Sequence, residues 1–285
     1  MNGNEIMSSA VVGTPVEVIQ EGATHTEEAS EDDGVIRKLS DYMTLVEALP
    51  NGYILSRGQT GDYPLLPSAL RKDSRGVRIF SRRVAAHFLG QFKINSHYYM
   101  ESPWDIKNDY EWMIYAQHYG IPTRLLDFTH SHIISLMFAV EDAFSEQEPT
   151  DAVVWFLDPQ KINLIHSHST EMFTLSNDRD NRLDECNGPV IIQGRKLNNR
   201  INAQNGVFLY FQDIEQPLEV HRQSGEFLKK VIISGRHKKE IISSLYSMGI
   251  GFTQVYPELP YVSKDILMRY RINQHISYGM EGEEN

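Results

Sequence analysis

The chain has 285 residues, 41% of them hydrophobic and 23% charged, which is enough for one large globular domain or two small ones and excludes disorder throughout. The formal net charge is -11, yet eight acidic residues precede Val35 and three follow Met280, so the stretch between them is neutral. No window approaches the roughly 18 apolar residues of a membrane span, and the start lacks a secretory pattern. A single cysteine, Cys186, supports neither an internal disulfide nor a Cys-rich zinc site. The expectation is a soluble cytoplasmic protein that needs no metal and touches no membrane.

Residues 1–35 are too polar to bury the area that ordering requires and read as a disordered acidic tail, either solubilising or folding on a partner. Residues 36–275 show no repeat, Pro-rich linker or composition break, which favours one domain. Residues 36–49 read as a helix stopped by Pro50-Asn51-Gly52, and a strand follows at 53–56. Residues 57–70, punctuated by Gly58, Gly61, Pro64 and Pro67, form a loop too long to be turn chemistry alone. Next come helices at 77–92 and 109–119, the second stopped by Gly120 and Pro122. A helix at 132–144 is apolar nearly all round and should lie buried against a sheet.

Strands are expected at 152–157, 189–193, 207–211 and 230–233, a helix at 238–248, a short closing strand at 252–255, and an acidic C-terminal tail at 276–285. Helices early and strands late make this an α+β fold, a mixed and mostly antiparallel sheet with helices in a single domain.

Three constellations could carry chemistry. Ser56-Arg57-Gly58 ends a strand in an arginine, which can grip a diphosphate through two parallel hydrogen bonds, and a glycine, which lets a ligand approach the backbone. Its structural alternative is an arginine paired with a carboxylate at the core edge. The run from Ala116 to Thr129 gathers His118, Tyr119, Thr123, Arg124, Asp127 and Thr129 ahead of an apolar helix. Asp127 or Thr129 could simply cap that helix, and Arg124 could pair with Asp127. Between Arg200 and Phe208, polar residues enter an apolar strand and Gln204 could hold a pair of hydroxyls, unless Gly206 only marks a bulge.

Arg71, Lys72, Arg75, Arg78, Arg82 and Arg83 fall within thirteen positions with Asp73 the only acid among them. Such a stretch could track a nucleic-acid backbone or be a solvated helix face. Phe88, Phe92, Tyr98, Tyr99 and Trp104 follow and would suit base stacking. The pairs His130/His132 and His166/His168 lack a third ligand at a known spacing. There is no GxxxxGK[ST], GxSxG or HExxH motif.

The segments Ser56-Arg57-Gly58 with Tyr63 to Arg71, His118 to Thr129, and Gln204 to Phe208 together resemble the FRG domain family over about residues 50–260. Ser56 stands where the family usually has an aromatic residue. The order of Arg57, Thr129 and Gln204 is in turn similar to the Arg, Ser/Thr, Glu/Gln order of ADP-ribosyltransferases.

That second resemblance implies an ADP-ribosyltransferase-like fold and NAD as substrate. Arg57 would hold the diphosphate or adjoining ribose, with Gly58, Tyr119, Arg124 and Phe128 around the cofactor. Thr129 would organise the site. Gln204 would stand where a glutamate is usual, leaving Asp127 or His118 as base because an amide cannot remove a proton. The implied function is a toxin that ADP-ribosylates a macromolecule, RNA being favoured by the basic stretch, in a bacterial toxin-antitoxin or antiviral context with a possible antitoxin or chaperone partner. The other reading is a non-catalytic module that binds a nucleotide or nucleic acid in the same pocket.

Overall fold

The apolar runs of the sequence become strands because their residues are buried on alternate or on both faces, as in Ala152–Leu157, where all six side chains are inside. A computed structural model describes residues 34–100, 102–175, 181–195 and 199–282, so the expected acidic N-terminal segment lies outside the described residues up to Asp33. The strands are β1 (Val35–Ile36), β2 (Leu55–Gln59), β3 (Leu125–Thr129), β4 (Ala152–Leu157), β5 (Phe173–Thr174), β6 (Val190–Gln193), β7 (Gly206–Tyr210) and β8 (Leu228–Ile233). They form one sheet in the order β1-β8-β4-β2-β3-β7-β6-β5. Only β1–β8 and β5–β6 pair in parallel. The fold is α+β with a mixed, mostly antiparallel sheet.

Ten helices accompany the sheet among the described residues: α1 (Leu39–Glu47), α2 (Arg82–Ser96), α3 (Asp109–His118), α4 (His132–Val140), α5 (Pro159–Ser167), α6 (Asn199–Ala203), α7 (Ser224–Phe227), α8 (Lys238–Ser247), α9 (Phe252–Val255) and α10 (Leu259–Gly282). On one face, Val154, Phe156, Val231 and Ile233 pack with Leu136 and Val140 of α4, Ile241 and Leu245 of α8, and Met268 of α10. On the other face, Leu55, Trp155, Leu157, Leu209 and Phe211 pack with Leu65, Leu66 and Leu70 of the connection after β2, Ile162 of α5 and Phe227 of α7.

The pleat of β2 decides what its residues can do. Ser56 and Gly58 face α4, where Ser56 Oγ lies 2.8 Å from both His132 Nδ1 and Ser135 Oγ. A Cβ on Gly58 would meet the Ser135 carbonyl oxygen at 1.8 Å and the Ala139 nitrogen at 2.9 Å. Gly58 is therefore the groove in which α4 rests, a packing requirement that the local sequence does not disclose. Arg57 projects to the opposite face by the two-residue period.

β2 pairs with β4 over five positions and β3 with β7 over five, but β2 and β3 share only Ser56↔Thr129. The sheet therefore splits beyond that pair.

Several expectations need correction. Strands and helices alternate from the start, because β1, β2 and β3 lie in the first half of the chain. α2 begins five residues later than expected, where Ser81 Oγ accepts the Val84 N–H; ahead of it Lys72 bridges Arg78 around a turn. The helix expected at 132–144 ends at Val140. Residues 252–255 are helix α9 and not a strand: Asp265 accepts from the backbone N–H groups of Phe252 and Thr253, and Gln254 accepts from that of Gly251. These satisfy the orphan donors of a helix start. Of the C-terminal tail expected at 276–285, residues 276–282 are instead the last part of α10, anchored upstream by buried Met268 and Ile272, and 283–285 lie outside the described residues.

Candidate functional site

The split in the sheet opens a cleft of about 930 Å³ whose walls come from β2 and the connection after it, the ends of α3, β3 and α4, α6, and β7. Arg57, Thr129 and Gln204, three positions from distant parts of the chain, all line it, together with His118, Asp127 and Phe128. Arg57 Nη1 donates to the Asp127 carbonyl at 2.9 Å and lies 3.8 Å from the Asp127 carboxylate. This bond bridges the gap where a β2–β3 ladder bond would otherwise run. Burial pushes the Arg57 guanidinium down from its ordinary value; Asp127 opposes that and Arg71 adds to it.

On the other edge of the same guanidinium, Nε with Nη2, the buried Nε has no hydrogen-bond partner among the described residues, and none of the contacts of Arg57 there runs through Nη2. That edge is the one that forks onto paired oxygens. Arg195 uses it on the two carboxylate oxygens of Glu111 at 2.7 and 2.8 Å, and Arg75 closes it on the single oxygen Oδ2 of Asp73 at 3.1 and 2.9 Å. Gln204 repeats the pattern, since its Nε2 is also buried without a partner. A buried unpaired donor costs about 1–3 kcal/mol, and these two, both on one cleft, are donors that an acceptor-rich molecule would satisfy.

Thr129 positions Gln204. Its hydroxyl donates to the Gln204 carbonyl at 2.6 Å and accepts the Ser131 N–H at 2.9 Å, which fixes the segment that β3 and α6 present to the cleft. The Asp127 carboxylate is exposed, with Oδ1 accepting from Gln117 Nε2 at 2.8 Å and Oδ2 lying 3.8 Å from Arg57. Gln117 in turn accepts from the Thr123 hydroxyl. His118 Nε2 lies 3.5 Å from Glu258. Burial and the Arg200 charge hold its imidazole below the ordinary value, with Glu258 and Asp127 acting the other way.

Other expected site residues serve other contacts. Gly58 borders the cleft, but its bare Cα serves the contact with α4. Tyr119 stacks on Phe92 of α2 at 5.9 Å, outside the cleft, because the end of α3 turns it outward. Arg124 sits over the Tyr210 ring and 3.6 Å from Asp184, on a second cleft, and not beside Asp127. Neither Asp127 nor Thr129 caps α4, whose cap position is Ser131.

The basic stretch is divided. Arg71 and Lys72 line the main cleft; Arg78 and Arg82 line the second; Arg75 and Arg83 are on open surface. Lys72, Arg75 and Arg78 have carboxylate partners in Glu215, Asp73 and Asp213. Of the aromatic stripe, Phe88 and Phe92 pack on neighbouring rings, whereas Tyr98, Tyr99 and Trp104 are exposed. His132 is held by Ser56, and His166 by His221 and the Pro189 carbonyl. Among the described residues no group of three metal-ligating side chains occurs, and no helix is long and apolar enough to cross a membrane.

Two groups on the cleft had no site role in the sequence reading. Tyr63 brings an exposed ring to its rim. Glu141 follows α4 directly; Tyr256 donates to its Oε2 at 3.3 Å and Lys264 lies 3.9 Å away. Burial raises the Glu141 carboxyl above its ordinary value, opposed by Lys264, Tyr256 and Arg200 and assisted by Asp142. The only sequence signal was an acidic pair closing an apolar helix.

Residues 53–148 match the model of the FRG domain family. The matched span holds Arg57, His118, Asp127, Thr129 and Glu141 but not α6, so Gln204 reaches the cleft from outside it. No curated protein and no solved structure matches the chain.

Proposed function

We propose that the FRG domain carried by this chain binds NAD in the split-sheet cleft and transfers its ADP-ribose to a macromolecule. The observation that carries the reading is the convergence of Arg57, Thr129 and Gln204 on one cleft, with a buried guanidinium Nε and a buried amide that lack hydrogen-bond partners among the described residues. Breaking the nicotinamide–ribose bond builds positive charge on the sugar. A site for it must fix the diphosphate, seat the leaving ring and hold the ribose hydroxyls in one orientation.

The free edge of Arg57 suits the diphosphate. Phe128, with Phe138, Phe208 and Tyr63, offers apolar and aromatic surface for the ring in place of Tyr119. Gln204, tethered by Thr129, offers an amide to the hydroxyls. RNA is the first acceptor to test, because Arg71 and Lys72 stand on the cleft itself. A toxin role in bacterial defence, with an inhibitory partner, rests on the family resemblance.

Incubation with adenylate-labelled NAD and either total RNA or cell lysate tests the reading. The wild type should release nicotinamide and label one polymer. Arg57→Ala and Gln204→Ala should each stop release; the melting temperature of Gln204→Ala should stay within about 2 °C, and that of Arg57→Ala should fall by only about 2–4 °C with the bond to the Asp127 carbonyl. Tight NAD binding with no release would favour a non-catalytic nucleotide-binding module, to which the amide at Gln204 is suited. Unfolding of both variants would make these positions structural.

A further inference from the structure

We propose that Glu141 is the general base of the cleft, taking the proton from the acceptor group as that group attacks the ribose. The assignment rests on the ADP-ribosyl transfer reading above and supplies the function that Gln204, an amide, cannot perform. In the step, an acceptor O–H or N–H forms its bond to the ribose C1′. The bond from C1′ to the nicotinamide nitrogen breaks and its electron pair leaves with the ring as neutral nicotinamide. The acceptor proton passes to the Glu141 carboxylate and then to solvent. The acceptor class is thus a protonated nucleophile and not a carboxylate, which would need no base.

Comparison of the acids on the cleft singles out this residue. Asp127 has one oxygen bonded by Gln117 and the other facing Arg57. Glu215 is shared between Lys72 and Arg78. Among the described residues the contacts of Glu141 run through Oε2, to Tyr256 and near Lys264, which leaves the lone pairs of Oε1 for an incoming group. Its side chain is 31% exposed, open to an incoming group yet rooted in the wall. The groups facing it are Asp142 beside it, Arg200 of α6, Tyr256 after α9 and Lys264 of α10. Their balance leaves burial dominant, which strengthens a carboxylate as a proton acceptor.

Glu141→Gln keeps the shape and the Tyr256 contact, so its melting temperature and NAD affinity should match wild type. Nicotinamide release into water should fall less than about tenfold, whereas label transfer to the polymer should fall about 100-fold or more. Wild-type transfer should show an acidic limb above the ordinary carboxylate range, absent from the variant. Transfer by Glu141→Gln within about threefold of wild type, or an unchanged acidic limb, would overturn the assignment. So would equal loss of release and transfer, which would place Glu141 on the ribose instead. A wild type that neither binds NAD nor releases nicotinamide would remove the proposed function itself. Glu141→Asp, which keeps the carboxylate, should restore part of the transfer and the limb, and a fold lost in Gln but intact in Asp still permits the comparison.

Discussion

Gly58→Ala gives the sharpest test of how the cleft is built. The new Cβ would lie 1.8 Å from the Ser135 carbonyl oxygen, and ordinary contact begins at 3.4 Å, so the two backbones must separate by roughly 1.6 Å. Both are regular backbone, and no flexible side chain can move aside. The separation pulls Leu136, Ala139 and Val140 from the sheet and stretches the 2.8 Å contacts of Ser56 with Ser135 and His132. Overpacking costs typically about 1–3 kcal/mol, and the upper end applies here because a whole helix must shift. For a chain of this size about 3 kcal/mol corresponds to a melting temperature lower by roughly 6–12 °C. Phe138 on the same helix and Glu141 just after it would move too, so the proposed NAD binding should weaken as well. Gly90→Ala is the control, since a Cβ there meets nothing within 4 Å and should stabilise α2 by about 0.5–1 kcal/mol. Thermal unfolding of the two variants settles the matter. A Gly58→Ala protein that melts with wild type but loses ligand would refute the packing role and restore Gly58 as the point of ligand approach.

Thr129→Val deletes a hydroxyl bonded to both the Gln204 carbonyl and the Ser131 N–H; about 2 kcal/mol of stability should go with it. NAD turnover should fall further than stability predicts, which paired melting and nicotinamide-release measurements would show. Glu111 and Asp265 should make the protein acid-labile. Burial works to raise both carboxyls, but bonds from Arg195 and the Lys107 N–H to Glu111, and from Thr253, Tyr246 and Phe252 to Asp265, hold both below their ordinary values. A carboxyl depressed in the folded state stabilises fully above its unfolded value and loses that contribution as pH falls through the folded one. Melting temperature should therefore drop steeply below about pH 4, and Glu111→Gln with Asp265→Asn should flatten that decline; an unchanged acid slope would contradict it.

What the sequence discloses about this fold is what local physics determines. Ala152–Leu157 reads as a strand because six apolar, mostly β-branched or aromatic residues can be satisfied only inside a sheet. The end of α3 reads correctly because Gly120 takes φ +84, a conformation for which glycine is suited. The misreadings have distant causes. α9 depends on a carboxylate twelve and thirteen residues downstream, and without Asp265 the segment Phe252–Val255 looks like any short apolar strand. The partners of Arg124 and Tyr119 are likewise remote, in Asp184 and Phe92.

The same division runs through the candidate site. Arg57, Thr129 and Gln204 were legible as a set through the order of their residue types, although only Thr129 and Gln204 stand at or just before strand ends and Arg57 lies in the middle of β2, which runs on to Gln59. Their division of labour was not legible, because it follows from the single-residue pairing of β2 with β3. Beyond Ser56↔Thr129 the Asp127 carbonyl has no β2 ladder partner, and Arg57 Nη1 supplies the donor. An arginine can do this and still present a second edge, since the planar guanidinium carries five donors in fixed directions. A lysine could close the gap but would have no fork left for a diphosphate. The residue that bridges the split is thus also the one with an edge left for a ligand, which is why the identity of position 57 is constrained from both sides.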